Sequence, residues 1–386
     1  MQIFHRRALA EQMAGQIMNP TGFNVSILSG IFLSGIRRTG KTTFIKHDLM
    51  PALEELGAVV IYVDLWADTS IAPIQHVNSA LRQKLVELTT AGSKTISMLS
   101  RLRGLEIEVP GFKFGFSVES VGEAGGPTIA QALTEVVAQA KTNVVLIVDE
   151  VQQAMMTPEG NALMLAIKAA RDAINLDPNS EGKFIFLGTG SHRAMLHEMT
   201  TRRQQAFQGA HMQEYQTLGR DFIQHQLGLL RAHEPVLPSE DVTFECFQQL
   251  MFRPEMLMNV LRHVSSMRPS VYRVDELMRL GTKMQRDHMV EQEMSRLDQL
   301  PPLAQQVFRQ IVSLGDEARG LFGADALAIY AKQLGRPVRT EEVQTAIADL
   351  LVNNLIRRKA HGIYALSDAD FAELWLENMS RHVMTH

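Results

Sequence analysis

The stretch that decides the fold is residues 31–43, IFLSGIRRTGKTT. Gly35, Gly40, Lys41 and Thr42 occupy the fixed positions of the phosphate-binding loop pattern G-x-x-x-x-G-K-[ST]. The apolar residues 31–33 predict a buried strand entering the loop, and residues 42–55 predict a helix bent or interrupted at Pro51. The alternative is a chance match in a glycine-containing turn. Because both flanks have the expected character, the sequence predicts a site for a nucleoside triphosphate.

The chemistry of this loop assigns a role to each kind of residue. Backbone N–H groups wrap the phosphates, helped by the positive end of the helix that follows. Lys41 would reach the β- and γ-phosphates, and the Thr42 hydroxyl would complete the shell of a Mg²⁺ ion. The predicted ligands are therefore ATP and Mg²⁺. The predicted nucleotide-binding residues of the loop are Gly35, Ile36, Arg37, Arg38, Thr39, Gly40, Lys41, Thr42 and Thr43.

A second motif lies at residues 143–150, NVVLIVDE, an apolar strand that ends in two carboxylates. Asp149 is predicted to hold Mg²⁺, directly or through water. Glu150 is predicted to orient and polarise the water that attacks the γ-phosphate. The alternative is a strand that ends in two solvated acids. Together with the loop upstream, the acid pair indicates hydrolysis of the nucleotide.

Composition limits the class of protein. The chain has 386 residues and a formal net charge of −4, so two or three domains are expected and no overall basic field attracts nucleic acid. The single cysteine, Cys246, excludes an internal disulfide framework and suits the reducing cytoplasm. The N-terminal residues lack a secretory pattern. No apolar run approaches the roughly 18–20 residues that span a bilayer, so no membrane partner is expected.

The pattern of the first half predicts an α/β fold with a parallel sheet. Near-continuous apolar runs at 58–65, 143–150 and 182–191 read as strands buried on both faces, and 213–218 is a candidate last strand. Helices are expected at 8–18, 75–90, 129–140 and from about His192. Alternation over 104–122 predicts a β-hairpin insertion. We assign residues 1–218 to a P-loop ATPase core.

Polar residues after the fourth strand are further candidates. Thr189 and Ser191 could lie near the γ-phosphate, or could simply build a turn. Arg202 and Arg203 follow the next helix, and an arginine there could stabilise transition-state charge at a neighbouring subunit. A solvated arginine pair is the alternative.

The second half predicts two further regions. Residues 219–295 lose strand signals and read as a helical lid, in which Arg253 and Arg262 are candidate nucleotide sensors. Residues 296–386 predict three helices followed by two short strands around Gly362, which indicates a winged helix-turn-helix.

The partner of this last region is left open between DNA and protein. Arg357, Arg358 and Lys359 on the predicted wing favour contact with DNA phosphates. The third helix opens with Glu341 and Glu342, which would face DNA unfavourably. DNA contact and a protein-interaction role are therefore both kept.

Four segments carry a family resemblance: GIRRTGKTT, VVLIVDEVQ, FIFLGTGSHR and LLVNNLIRRKAHGIYALSD. They resemble the archaeal-type P-loop ATPases, which sit near the STAND and AAA+ groups of the ASCE division. The resemblance covers nearly the whole chain, in the order core, lid, winged helix. It implies phosphate binding by residues 35–43, metal binding and water activation by Asp149 and Glu150, and Arg203 as the trans-acting arginine. The family's Gly-Asn-Pro at the start of a lid helix is replaced here by Arg253-Pro254.

Two hypotheses of different classes follow. The first is an ATP-hydrolysing switch that forms a homo-oligomer and engages a partner protein through the C-terminal region. The second is a DNA-binding regulator whose assembly ATP controls, in the manner of mobile-element or defence proteins. A nucleotide-binding scaffold without turnover is disfavoured by Glu150.

Overall fold

The computed structural model describes residues 3–68, 70–102, 110–353, 355–360, 362–367 and 375. The chain divides into two compact units, Met1–Thr217 and Leu218–His386. Within the described residues, no helix combines the length and the apolar character needed to cross a membrane. The cytoplasmic location, and the division of the second unit at residue 295, stay predictions.

The first unit is built on a parallel sheet. In the described residues the sheet has five strands in the order β2-β3-β4-β1-β5, all of them parallel to their neighbours. The predicted α/β class with a parallel sheet is confirmed. The strands are β1 (Ile31–Ser34), β2 (Val59–Asp64), β3 (Val144–Asp149), β4 (Phe184–Gly190) and β5 (His211–Glu214).

Helices cover both faces of this sheet. They are α1 (Arg7–Met18), α2 (Lys41–Phe44), α3 (Met50–Glu55), α4 (Pro73–Thr89), α5 (Lys94–Leu102), α6 (Ile129–Ala140), α7 (Pro158–Asn175) and α8 (Arg193–Thr201). A π-helical turn, Ile45–Leu49, joins α2 to α3. Pro51 lies in the first turn of α3, where its missing N–H costs little, so the predicted interruption falls just before it.

Alternate side chains of each strand enter two separate cores, as the period of two requires. In β3, Val144, Leu146 and Val148 pack in one core, which α4, α6 and α7 also line. Val145 and Ile147 of the same strand pack in the other core, with residues of α1 and α3. Burial on both faces is why these strands read as continuous apolar runs.

The β-hairpin predicted over 104–122 is wrong for the part that the structure describes, residues 110–122, which contains no strand. Residues 103–109 lie outside the described part. The alternating Phe112, Phe114 and Phe116 stack on one another and on the core, which accounts for the pattern. The Gln139 side chain of α6 bonds both the N–H and the carbonyl of Lys113, so side-chain groups replace a partner strand.

Two helices of this unit, α5 and α7, and a 3₁₀ segment at Gly22–Ser29 were not predicted. The signal for α7 was present in the sequence: Leu163, Ile167, Ala170 and Ile174 recur at helical spacing and all are buried.

The second unit begins with four helices and continues with three helices and a two-stranded antiparallel sheet, counting described residues. The elements are α9 (Arg220–Leu230), α10 (Glu240–Gln249), α11 (Pro254–Ser266), α12 (Val274–Asp298), α13 (Pro302–Leu314), α14 (Ala324–Leu334), α15 (Thr340–Val352), β6 (Ile356–Ala360) and β7 (Ile363–Leu366). The helices and strands predicted for this half are therefore present.

Candidate functional site

The candidate site lies at the carboxyl ends of the central strands. β1 lies between β4 and β5, and β4 lies between β1 and β3. The loop after β1 and the acid pair at the end of β3 therefore open onto the same edge of the sheet. In open α/β sheets, ligands bind at this edge, where the strand order reverses.

The loop of residues 35–40 is shaped by two short contacts. The Gly35 N–H donates to the Gly190 carbonyl of β4 at 3.2 Å. The hydroxyl of the buried Thr39 donates to the Ile36 carbonyl at 2.8 Å. Gly40, at φ +90°, is left-handed and leads into α2, a conformation that glycine adopts without strain. Ile36 is half-buried, whereas Arg38, also left-handed, and Thr43 are exposed.

Lys41 is buried among charged groups. Its side chain is 5% exposed, and Nζ donates to the Gly35 carbonyl at 3.3 Å. Burial lowers the pKa of Lys41, and this effect exceeds the attraction of Glu150 and Asp149, which raises it. An ammonium group that has lost water without gaining a full set of partners is suited to an anion such as phosphate.

Asp149 joins three elements of the unit. Its carboxylate accepts hydrogen bonds from the Thr42 hydroxyl of α2 at 2.7 Å and from the Tyr62 hydroxyl of β2 at 3.1 Å. Thr189 of β4 also donates to it. Asp149 itself is 1% exposed. The structure thus brings together Thr42, Asp149 and Thr189, which the sequence predicted separately.

Tyr62 is a site residue that the sequence interpretation missed. Burial is the main cause that raises the pKa of Tyr62, followed by the charge of Asp149. The phenol therefore stays protonated and donates. A hydroxyl-bearing aromatic within the otherwise apolar run Val59–Asp64 was the available signal.

Glu150 follows Asp149 in a left-handed conformation, φ 52° and ψ 42°. Its Oε2 atom accepts hydrogen bonds from the side chains of Gln152 and, at 3.3 Å, Ser191. Gln152 was also missed, and it is 0% exposed. The candidate Ser191 is thereby placed beside Glu150, whereas Thr189 is placed beside Asp149.

The two arginines of the loop differ in their surroundings. Arg37 donates through Nε to the Ser191 hydroxyl at 2.9 Å, and its Nη2 lies 3.2 Å from Nε2 of His192. Its guanidinium also lies over the Trp66 ring, 4.7 Å from the centroid. Arg38 has no hydrogen bond or ion pair among the described residues. Arg37 is therefore held by protein groups and Arg38 is open to a ligand.

The two arginines after α8 also differ. Arg202 forms an ion pair with Glu198, one turn earlier in the helix. Arg203 is exposed, and within the described residues no hydrogen bond or ion pair engages it. Arg203 is thus the arginine available to another molecule.

Two of the three cations of β6 are paired with one carboxylate of the second unit. Asp316 accepts hydrogen bonds from Arg357 at 3.2 Å and from Lys359 at 2.6 Å. Burial acts to raise the pKa of Asp316, but these two cations outweigh it and the pKa is lowered. Arg358 lies over the Tyr364 ring at 5.8 Å.

The donor set in the first unit fits Mg²⁺ bound together with phosphate. Thr42 and Asp149 supply a hydroxyl and a carboxylate, the hard oxygen ligands that Mg²⁺ prefers. Among the described residues, no group of three or more His, Cys, Asp or Glu side chains could hold a metal.

No family model matches the chain, and no curated protein sequence matches it. Solved structures do. The Aeropyrum pernix ORC2 protein in its ADP form is 14% identical, with 100% of this chain and 96% of that chain covered and a TM-score of 0.54. The chain therefore shares the fold of this protein.

Two further solved structures are similar over most of their length. The A. pernix ORC1 protein in complex with DNA is 15% identical, covers 96% of this chain and 92% of that chain, and has a TM-score of 0.44. Cdc6p from Pyrobaculum aerophilum is 14% identical, with 97% and 92% covered and a TM-score of 0.41.

The burial of Lys41 predicts that Lys41→Met has different effects on the thermal stability of the ligand-free protein and on the binding of Mg-ATP. Because the ammonium is desolvated, Lys41→Met should leave the melting temperature of the ligand-free protein unchanged or raise it by up to about 4 °C. Added Mg-ATP should stabilise the wild type and not the variant. Thermal unfolding with and without Mg-ATP measures both effects. The control is Lys168→Met, because Lys168 of α7 makes no hydrogen bond or ion pair among the described residues. A large loss of ligand-free stability in Lys41→Met would contradict the assignment.

Proposed function

We propose that this protein binds ATP with Mg²⁺ at residues 35–43 and hydrolyses it, and that the ATP-bound and ADP-bound states switch its interactions. The observation that carries the proposal is the contact of Asp149 with Thr42. This contact brings the acid pair of β3 to the phosphate loop of β1. The similarity in fold to a protein solved in its ADP form supports an adenine nucleotide as the ligand.

Each residue of the site has a chemical role in this proposal. Backbone N–H groups of the loop and the Lys41 ammonium hold the β- and γ-phosphates. Thr42 and Asp149 would hold Mg²⁺, which, when bound, offsets the negative charge of the phosphates. Thr189 and Tyr62 keep the Asp149 carboxylate oriented toward α2. The sites of these contacts are all on rigid elements of the sheet and its helices.

Glu150 is the general base in the proposed reaction. It accepts a proton from water as the water oxygen bonds to the γ-phosphorus and the bond from that phosphorus to the β,γ-bridging oxygen breaks. The products are ADP and inorganic phosphate.

We further propose a cytoplasmic homo-oligomer in which Arg203 of one subunit reaches the γ-phosphate bound by the next. The exposure of Arg203 and its lack of a partner among described residues support this role. The neighbouring Arg202 is already paired with Glu198. An arginine supplied from a second subunit would make hydrolysis depend on assembly.

For the C-terminal region we propose a winged helix-turn-helix that engages a partner protein. Asp316 pairs with two of the three cations expected to contact DNA and offsets one of their charges, which weakens the attraction for phosphates. On α15, Glu342 is paired with Arg336 at 2.8 Å, so this helix N-terminus carries little free positive charge. A smaller binding energy for DNA follows.

DNA binding under ATP control is the second candidate. It is favoured by the succession Arg357, Arg358 and Lys359 on β6, a strand of a two-stranded sheet that follows three helices. A DNA phosphate would have to displace Asp316 from Arg357 and Lys359. Whether DNA phosphates displace Asp316 therefore distinguishes DNA from a protein as the partner of this region.

Substitution of Glu150 tests the catalytic assignment. Glu150→Gln should lower the hydrolysis rate at least about 100-fold, because general-base catalysis contributes on this scale. ATP affinity should stay within about twofold, and the ATP-bound state should accumulate. Phosphate release and binding of a fluorescent ATP analogue measure the two quantities. Normal hydrolysis by Glu150→Gln would remove the assignment.

A mixing experiment tests Arg203. Arg203→Ala and Glu150→Gln should each be inactive alone, losing at least about 100-fold in rate. Mixed in equal amounts they should recover part of the activity, because some interfaces then combine an intact Glu150 with an intact Arg203. Arg202→Ala is the control and should retain the wild-type rate. Failure of the mixture to recover activity would exclude a trans role for Arg203.

Removal of the Asp316 charge tests DNA binding by the wing. If DNA is the partner, Asp316→Asn should raise affinity for duplex DNA several-fold at low salt and steepen its salt dependence by about one to two charges. Neutralising Arg357, Arg358 and Lys359 together should abolish binding. Glu317→Gln is the matched control, since Glu317 pairs with Arg319. If Asp316→Asn does not bind duplex DNA at low salt, with or without ATP, DNA is excluded and a protein remains as the proposed partner.

A further inference from the structure

The side chain of Glu150 is held on one oxygen only. Oε2 accepts from Gln152 Nε2 and from Ser191 Oγ, whereas no hydrogen bond engages Oε1 among the described residues. The left-handed backbone of Glu150 directs the carboxylate toward these two donors at the start of the 3₁₀ turn Val151–Met156. One oxygen is thus fixed and the other is available to accept a proton.

Gln152 is built into the core beside this carboxylate. It is fully buried, and its Oε1 has no hydrogen-bond partner in the described part of the chain. Gly190 makes the space for it, because a Cβ at that position would lie 2.0 Å from Gln152 Oε1. A buried amide oxygen without a partner costs free energy, which packing alone does not explain. The amide nitrogen, by contrast, donates to Glu150.

Ser191 is the second donor, and its direction is fixed by Arg37. A guanidinium can only donate, so the Ser191 oxygen must accept from Arg37 Nε at 2.9 Å. The single hydroxyl proton of Ser191 is then free to point to Glu150. Stacking on Trp66 and contact with His192 hold Arg37 in place. A residue of the phosphate loop therefore acts on Glu150 through one intervening hydroxyl.

We propose that Gln152 and Ser191 are positioning residues that hold Oε2 of Glu150, so that Oε1 faces the attacking water, and that Arg37 links this arrangement to the phosphate loop. The proposal rests on the proposed ATP hydrolysis. A general base with one oxygen held by a third group follows the logic by which enzymes orient catalytic side chains. Movement of the loop when phosphates bind would reach the base through Arg37 and Ser191.

Gln152→Met tests the first anchor, since it keeps the approximate length of the side chain and removes the donor. The turnover number should fall about 10–100-fold, as for a misplaced catalytic group, while the dissociation constant for ATP stays within about twofold. Gln153→Met is the matched control, because Gln153 is half-buried and its side chain makes no hydrogen bond in the described residues. Single-turnover hydrolysis and binding of a fluorescent ATP analogue give the two values.

Substitution of Ser191 tests the second anchor independently and does not disturb the core. Ser191→Ala should lower turnover about tenfold with unchanged ATP affinity, and Ser191→Thr, which keeps the hydroxyl, should restore it. In a Glu150→Gln background, neither Gln152→Met nor Ser191→Ala should lower the residual rate further. A role in packing alone would instead give additive losses in that background.

The outcomes separate this proposal from the function on which it rests. If Glu150→Gln hydrolyses ATP normally, the proposed function fails. If Glu150→Gln is inactive while Gln152→Met and Ser191→Ala keep wild-type turnover, only the positioning role is overturned. If Gln152→Met loses thermal stability, the Ser191 variants decide the question by the same criteria.

Discussion

The hydrogen bonds to Asp149 are the interactions on which the candidate site depends. Thr42, Tyr62 and Thr189 donate to one carboxylate from α2, β2 and β4. Asp149 therefore fixes the helix after the phosphate loop relative to three neighbouring strands. A buried carboxylate is stable only when such donors surround it, so the polar residues form one unit and cannot be exchanged singly. The position of Glu150 is a consequence, because it follows Asp149 directly at the end of β3.

The charges of the site are arranged so that an anion completes them. Lys41 is desolvated and lies near Asp149 and Glu150, yet burial lowers its pKa more than these carboxylates raise it. The guanidinium of Arg37, the second cation of the loop, is held in place by Ser191, His192 and Trp66. Arg38 is exposed. The loop thus has one buried cation, one cation joined through Ser191 to Glu150, and one that is open to a ligand.

Much of the fold and of the site could be predicted from the sequence. The strands at β1 to β4 were predicted within two residues of their bounds, because burial on both faces leaves long apolar runs. The helix α6 was predicted with the observed bounds, 129–140. Within the described residues 110–122 the predicted hairpin is wrong, because the alternation of Phe112, Phe114 and Phe116 reports burial of every second side chain and not the presence of a partner strand. Tyr62 was missed because it lies within an apolar stretch and its partner Asp149 is 87 positions away in the sequence. Gln152 was missed because no local pattern shows that its side chain turns back to Glu150.

The sequence by itself determined that a phosphate loop and an acid pair are present, since both are local patterns whose spacing is fixed by strand, loop and helix geometry. It also determined which residues of β3 are acidic and which strands are buried. Only the tertiary structure decided which hydroxyls meet Asp149, which oxygen of Glu150 is held, and that Asp316 pairs with both Arg357 and Lys359. Those contacts join residues up to 154 positions apart, as between Arg37 and Ser191. Strand order and packing bring such residues together, and no local pattern encodes them.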